Sequence, residues 1–367
     1  MRYNHFALGD LVKIRYGKNQ KKVQSEDGNI PIYGTGGLMG YAITSLYDKP
    51  SVLIGRKGTI NKVRYVDHPF WTVDTLFYTE VEESVVIPKY LYYLMSLINL
   101  DSYNEGTTIP SLRTETLNRL EFDIPSLDYQ GKILSVLEPI ANRIKLNKRI
   151  NENLLQQAQS IFTQEFLSLD GLPDGWQESS LLGIADYLNG LAMQKYRPSD
   201  DEQGLPVLKI KELRQGSCDS KSELCSPSIK PEYIVHDGDV IFSWSGSLLV
   251  DFWCGGTCGL NQHLFKVTSS KYDKWFYYAW TNHHLQKFVA IAADKATTMG
   301  HIKREELAKA EVLIPSKFDY DRIGGLLAPL YDLVIANRIE NRKLASLRDE
   351  LLPQLMSGQL DVSEVAL

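Results

Sequence analysis

From Ile133 onward, apolar side chains return every three or four residues, and Ile133, Leu137, Ile140, Ile144, Asn147, Asn151, Leu154, Ala158 and Ile161 mark one stripe. The stripe recurs as Ile323, Leu327, Leu330, Val334, Asn337, Asn341, Leu344, Arg348, Leu351 and Leu355. This spacing predicts two helices of about 30 residues, each about 45 Å long, with a coiled-coil seam along one face. Two consecutive seam positions are asparagine in both copies. A buried amide costs stability and is tolerated where it fixes register and partner, so the helices can pair antiparallel through Asn147, Asn151, Asn337 and Asn341. Amides turned outward toward a partner protein are the other reading. Pro139 and Pro329 mark either the first turn of each long helix or a kink after a short preceding one.

Ahead of each helix the pattern changes. Short apolar runs such as Ser51-Val52-Leu53-Ile54 and Asp239-Val240-Ile241-Phe242 are punctuated by Gly and Pro and read as strands. One aromatic-rich helix interrupts each region, at 88–98 and 273–288, its rings spaced as core. The chain is thus written twice. Leu137-Glu138-Pro139-Ile140 returns as Leu327-Ala328-Pro329-Leu330 at an offset of 190, and Val52-Leu53-Ile54 returns as Val240-Ile241-Phe242 at 188. Such drift is what loop insertions leave between two copies of one domain. The expected class is α+β: two pseudo-repeated, β-rich mixed domains separated by two long antiparallel coiled-coil helices. The limits are 1–127 for the first domain, 128–168 for a central helical spacer, 169–317 for the second domain, 318–358 for a C-terminal spacer and 359–367 for a tail.

With 367 residues, 43% hydrophobic and 23% charged, the chain can bury two cores. It has no apolar run of the roughly 18–20 residues that a spanning helix needs, and MRYNHFALGD lacks a signal-peptide core, so a cytoplasmic protein is expected. All four cysteines, Cys218, Cys225, Cys254 and Cys258, lie in the second half. A structural zinc wants four ligands, commonly in close pairs. The first copy lacks these cysteines altogether, so they read as buried free thiols and no metal is expected. A net charge of −5 speaks against coating nucleic acid unaided. Residues 11–25 nevertheless carry Lys13, Arg15, Lys18, Lys21 and Lys22 with no acid, which is either a face for a polyanion or a solvated basic strand.

Catalytic motifs are missing. Gly34-Thr35-Gly36-Gly37-Leu38-Met39-Gly40 imitates a dinucleotide fingerprint, but its third glycine falls one residue late and no acidic residue follows in the expected unit. There is no Walker A loop, and no Asn-Pro-Pro-aromatic motif of the kind an adenine methyltransferase uses. A catalytic centre is not expected.

The paired elements, in order, resemble the specificity (S) subunit of type I restriction-modification systems over nearly the full length. The resemblance rests on Leu8-Gly9 and Leu182-Gly183 opening the halves, Ile124-Pro125 and Ile314-Pro315 closing the domains, Asp128-Tyr129-Gln130-x-x-Ile133, and the tail Leu344-x-x-Leu347-Arg348-Asp349-Glu350-Leu351-Leu352-Pro353-Gln354-Leu355-Met356-Ser357-Gly358. One departure is Tyr320, where the second copy should repeat Gln130. The resemblance implies a non-catalytic protein in which two target-recognition domains each read one half of a split double-stranded DNA sequence. The helices would set the gap and dock two methyltransferase (M) subunits, with restriction (R) subunits joining. S-adenosylmethionine, ATP and magnesium would belong to those partners, with no cofactor in this chain and no membrane. A stand-alone DNA-binding regulator and a silent specificity cassette are the alternatives.

Candidate DNA contacts lie where the copies share backbone cues but differ in side chains. Arg56, Lys57 and Thr59 face Ser243, Trp244, Ser245 and Ser247 around a common glycine. Thr107, Thr108, Ser111 and Arg113 face Thr297, Thr298, His301, Lys303 and Arg304, the threonine pairs either capping a helix and binding phosphate or capping alone. Lys18, Lys21 and Lys22 complete the set.

Overall fold

The computed structural model describes residues 3–294 and 302–365. They form two compact units, one of the residues up to Ala141 together with those from Ser346 on, the other of Asn142–Ala345. The fold is α+β, as the patterning requires, and each unit is built on the same four-stranded antiparallel sheet. In the first unit the strand order is Val12–Tyr16, Leu76–Val81, Ser51–Gly55, Val63–Val66; in the second it is Asp186–Asn189, Leu264–Thr268, Val240–Ser243, Leu249–Phe252. Ser51–Gly55 is buried at every position, which is why its sequence is a continuous apolar run. Val52 and Ile54 pack under Tyr90 and Leu91 of the helix Pro88–Ser96, while Leu53 packs with Phe70 and Tyr78. A second sheet, three-stranded in the first unit and four-stranded in the second, extends each unit, and a two-stranded ribbon closes it: Asn4–Ala7 with Glu121–Ile124, and Gln177–Ser180 with Glu311–Ile314.

The pairing registers correct one detail of the repeat. Leu8 N–H donates to Leu120 O at 2.7 Å, and Leu181 N–H donates to Ala310 O at 3.1 Å. Leu8 therefore corresponds to Leu181, one residue earlier than the Leu-Gly match implies.

The long helices run Leu127–Phe162 and Lys317–Met356, about 54 and 60 Å at 1.5 Å per residue. Pro139 and Pro329 lie well inside these continuous helices, so neither marks a first turn. An interior proline costs a helix about 3 kcal/mol; burial of Ile133 and Leu137, and of Ile323 and Leu327, all fully inaccessible, offsets it. The true starts follow Pro125-Ser126 and Pro315-Ser316. Ser316 Oγ accepts the Asp319 N–H at 3.2 Å and donates to its carboxylate at 2.9 Å, a capping arrangement that, with the Trp176 indole, holds the Asp319 carboxyl below its usual range.

Each unit encloses the start of one long helix and the end of the other. The first core combines Ile133 and Leu137 with Leu352, Leu355 and Met356; the second combines Ile323 and Leu327 with Ala158, Phe162 and Phe166. The segment after Gly358 belongs to the first core as well. Val362 is buried, its N–H reaching Tyr129 Oη at 3.2 Å, and Lys132 Nζ donates to Ser363 O at 2.7 Å.

Within the second unit the helices pair antiparallel through the predicted asparagines. Asn147 Nδ2 donates to Asn341 Oδ1 at 2.9 Å, and Asn337 Nδ2 donates to Asn151 Oδ1 at 2.9 Å. Asn151 Nδ2 reaches Val334 O at 3.2 Å. Beside them Arg143 forks onto Glu340, whose carboxyl is lowered by that guanidinium and by Asn147 Nδ2. The amides at 147, 151 and 337 are buried, so they face the other helix and not solvent.

Candidate nucleic-acid interface

In the first unit, two of the segments singled out by sequence meet. Gly58 N–H donates to Pro110 O and Leu112 N–H to Arg56 O, each at 2.9 Å, and Lys57 bridges to Ser111. The 55–59 loop carrying Arg56, Lys57 and Thr59 is thereby joined to the 104–113 loop. Asn104 Oδ1 organises the latter by accepting the N–H groups of Gly106 and Ser111, both at 2.9 Å. Thr107 and Thr108 are exposed in a bend, whereas the next helix begins at Thr114 with Arg113 at its cap. The expected capping by this threonine pair is therefore corrected. Arg113 is exposed but ion-paired with Glu105 at 3.1 Å, and Arg15 forks onto Glu80, so both basic groups already have carboxylate partners. Lys21 and Lys22 lie exposed on a turn. Lys18 is exposed, with its carbonyl held by the Trp71 indole at 2.8 Å. The glycine-rich 34–37 segment is a hairpin turn between Ile30–Gly34 and Gly37–Ala42. No helix follows it, so the dinucleotide pattern has none of its required context.

The second unit repeats this joint. Ile302 N–H donates to Trp244 O at 3.0 Å, the counterpart of Leu112 on Arg56, and draws Lys303 and Arg304, both exposed, to the 243–247 loop. Gly58 and Gly246 both have positive φ, +87° and +65°, a conformation that favours glycine; the shared glycine does set both loops. Not every serine here points outward. Ser243 is fully buried, its hydroxyl donating to Ser247 O at 2.9 Å, and buried Ser245 contacts His263 Nδ1 at 3.2 Å. Ser243 and Ser245, chosen from sequence as candidate DNA contacts, are turned inward and shape the loop, while Ser247 is exposed. Thr297, Thr298 and His301 lie outside the described residues.

Sequence reading missed two partners at this joint. Tyr16, at the end of its strand and 52% exposed, lies under the Arg56 guanidinium, 5.1 Å from ring centroid to Cζ. At the matching place the Trp244 indole N–H donates to Asn189 Oδ1 at 3.0 Å. The correspondence follows from pairing: Tyr16 lies opposite Phe77 and Asn189 opposite Phe265, with Ile54 and Phe242 on the other side of those residues. The available signal was Gly17 and Gly190. A Cβ on Gly17 would lie 2.0 Å from Val73 O, and one on Gly190 2.3 Å from Asn261 O, so the residue before each glycine occupies one fixed place.

The cysteines are free thiols, with Cys225, Cys254 and Cys258 buried and Cys218 half-buried. Burial pushes the Cys254 thiol up to about 11. Cys218 Sγ lies 3.4 Å from Cys258 Sγ, a pairing no spacing argument suggested. Among the described residues no group of three or more His, Cys, Asp or Glu is placed to hold a metal ion, and no helix is long and apolar enough to cross a membrane.

A family described as the type I restriction modification DNA specificity domain matches this chain twice, over residues 2–156 and 173–347. The chain is similar to the type I restriction enzyme MjaIX specificity subunit of Methanocaldococcus jannaschii, 25% identical over 346 residues that span 87% of this chain and 80% of that one. It is also similar to the HindI specificity subunit of Haemophilus influenzae, 20% identical over 384 residues, 79% of this chain and 81% of that one. In fold it resembles a type I restriction-modification S subunit from M. genitalium with a TM-score of 0.64 at 15% identity, covering 97% and 96% of the two chains.

Proposed function

The chain belongs to the family of type I restriction-modification DNA specificity domains, and from that premise we propose that it is the sequence-reading subunit of such a complex, each unit reading one half of a bipartite duplex target. The observation that carries this reading is the doubled joint, with one backbone presenting different side chains in the two units. Two half-sites of unlike sequence call for that arrangement, because base-edge readout depends on side-chain donors and acceptors while the scaffold does not.

The subunit has no catalysis of its own in this reading. Methyltransferase and restriction subunits supply it, together with S-adenosylmethionine, ATP and magnesium. The long helices dock the methyltransferase subunits and set the gap between half-sites. A chain of net charge −5 gains little from phosphate neutralisation alone, which favours work inside a complex over a stand-alone regulator.

Replacing residues 1–127 with the same region of another family member tests this reading. In complex with methyltransferase subunits, one half of the methylated motif should change while the other stays. A change in both halves together would sink the modular reading. Inserting seven residues into each long helix, after Asn153 and at the facing place after Ile335, should lengthen the gap by about 3 base pairs, since a heptad adds about 10 Å and each core holds one end of both helices. An unchanged gap with retained activity would exclude the helices as spacers.

A further inference from the structure

The matched pairs at the sheet end, Tyr16 with Arg56 and Asn189 with Trp244, are unlike in chemistry although their backbones are in the same register. Each pair is held by a direct contact between its members, and each sits on the loop joint described above. We propose that this place sets the sequence preference of each unit, and that Arg56 reads a guanine in the first half-site. The assignment rests on the specificity-subunit reading and deepens it to one residue and one base.

Arg56 is built for the task in three respects. One N–H donates to Asp74 O at 2.8 Å, which tethers one end of the guanidinium. The Tyr16 ring supports one face, a contact worth about 0.5–1 kcal/mol where exposed. A guanidinium carries five donors in a rigid fork, so donors remain for the two acceptors, O6 and N7, on the major-groove edge of guanine. Adenine, which presents a donor at N6 beside its acceptor, does not match two donors.

The second unit cannot copy this. Its indole has a single N–H, held by Asn189 Oδ1. The exposed group there is an amide, with one donor and one acceptor edge. Two units with this difference discriminate differently at equivalent base positions, as an asymmetric bipartite target requires.

The test uses the full chain in complex with methyltransferase subunits, acting on a plasmid library whose methylated positions are sequenced. Wild type should show an invariant guanine in the half-site assigned to residues 1–127 by the graft. Arg56→Lys keeps the charge and removes the fork, so methylation should persist while preference for that guanine falls about 10- to 100-fold. All other positions should stay as they were. A first half-site without an invariant guanine, an unaltered motif, or uniform loosening across both halves would each overturn the assignment.

If Arg56→Lys gave no methylation at all, Tyr16→Ala decides, because it removes the supporting ring and leaves the guanidinium. It should loosen the same guanine; an intact motif refutes the role. A wild-type complex that methylates no bipartite sequence would instead bring down the specificity-subunit reading itself. A bipartite wild-type motif left unaltered by both variants would bring down the guanine assignment alone.

Discussion

The first and second units differ most instructively at the start of their long helices. Gln130 is fully buried: its Oε1 accepts the Ile87 N–H at 2.8 Å, and its Nε2 donates to the carbonyls of Val85 and Pro125, both at 2.9 Å. Tyr320 holds the matching position in the second unit. Its hydroxyl accepts the Asp273 N–H at 2.8 Å and donates to the Asp273 carboxylate at 3.1 Å, and burial raises its phenol above the ordinary range. Ile87 and Asp273 each stand directly before the aromatic-rich helix of their unit. A phenol can therefore replace an amide so long as that backbone donor keeps an acceptor. Scaffold positions answer to the hydrogen-bond inventory of the backbone, whereas the Tyr16/Arg56 and Asn189/Trp244 positions carry unlike side-chain pairs on matched backbones.

The comparison can be broken most forcefully at the helix ends. Phe162 and Leu352 are equivalent and close opposite units. Phe162→Ala should cost about 3–5 kcal/mol and Leu352→Ala about 2–3 kcal/mol. Hydrogen exchange should show the loss concentrated in the second unit for Phe162→Ala and in the first for Leu352→Ala. Equal loss in both units from either variant would contradict two separate cores.

Gln130→Leu comes next. It orphans one buried donor and two acceptors, a loss of about 3 kcal/mol, while Tyr320→Phe removes a more accessible pair at about 1 kcal/mol. Urea denaturation measures both, and equal costs would show that the two contacts are not graded by burial.

Replacing Asn147, Asn151, Asn337 and Asn341 together by Leu should raise stability by about 1–2 kcal/mol, since apolar packing replaces buried amides, and should permit mispaired or intermolecular coils. Light scattering would then show mixed oligomers. A homogeneous monomer that still assembles with methyltransferase subunits refutes a register role.

The smallest effect separates the units by pH. In the second unit Arg342 forks onto Asp237 at 2.7 Å, which lowers the Asp237 carboxyl below its ordinary 3.8. A carboxyl with a depressed folded value contributes stability above its unfolded value and loses it as pH falls toward the folded one. Below about pH 4, the second unit should therefore lose about 1 kcal/mol that Asp237→Asn has already lost. Parallel acid profiles for the two proteins would remove the pair from the account.

Much of this molecule was determined by sequence alone. The 3-4 stripes specify the long helices and the asparagine seam, because a period near 3.5 buries one face only. The offsets specify two copies of one α+β domain, because local patterns repeat wherever a backbone repeats. The loops around Gly58 and Gly246 were legible for the same reason, the left-handed backbone leaving glycine as the favoured residue. Tertiary structure decided what depends on distant segments meeting. The one-residue correction from Leu182 to Leu181 follows from strand register, a property of two chains of hydrogen bonds and not of one segment. Ser243 turned inward because its hydroxyl found a carbonyl four residues on, and Arg113 acquired Glu105 through a loop closed by Asn104. Tyr16 and Asn189 could be seen beside Arg56 and Trp244 only once three strands were paired, since no local pattern records which side chain stands across a sheet from another.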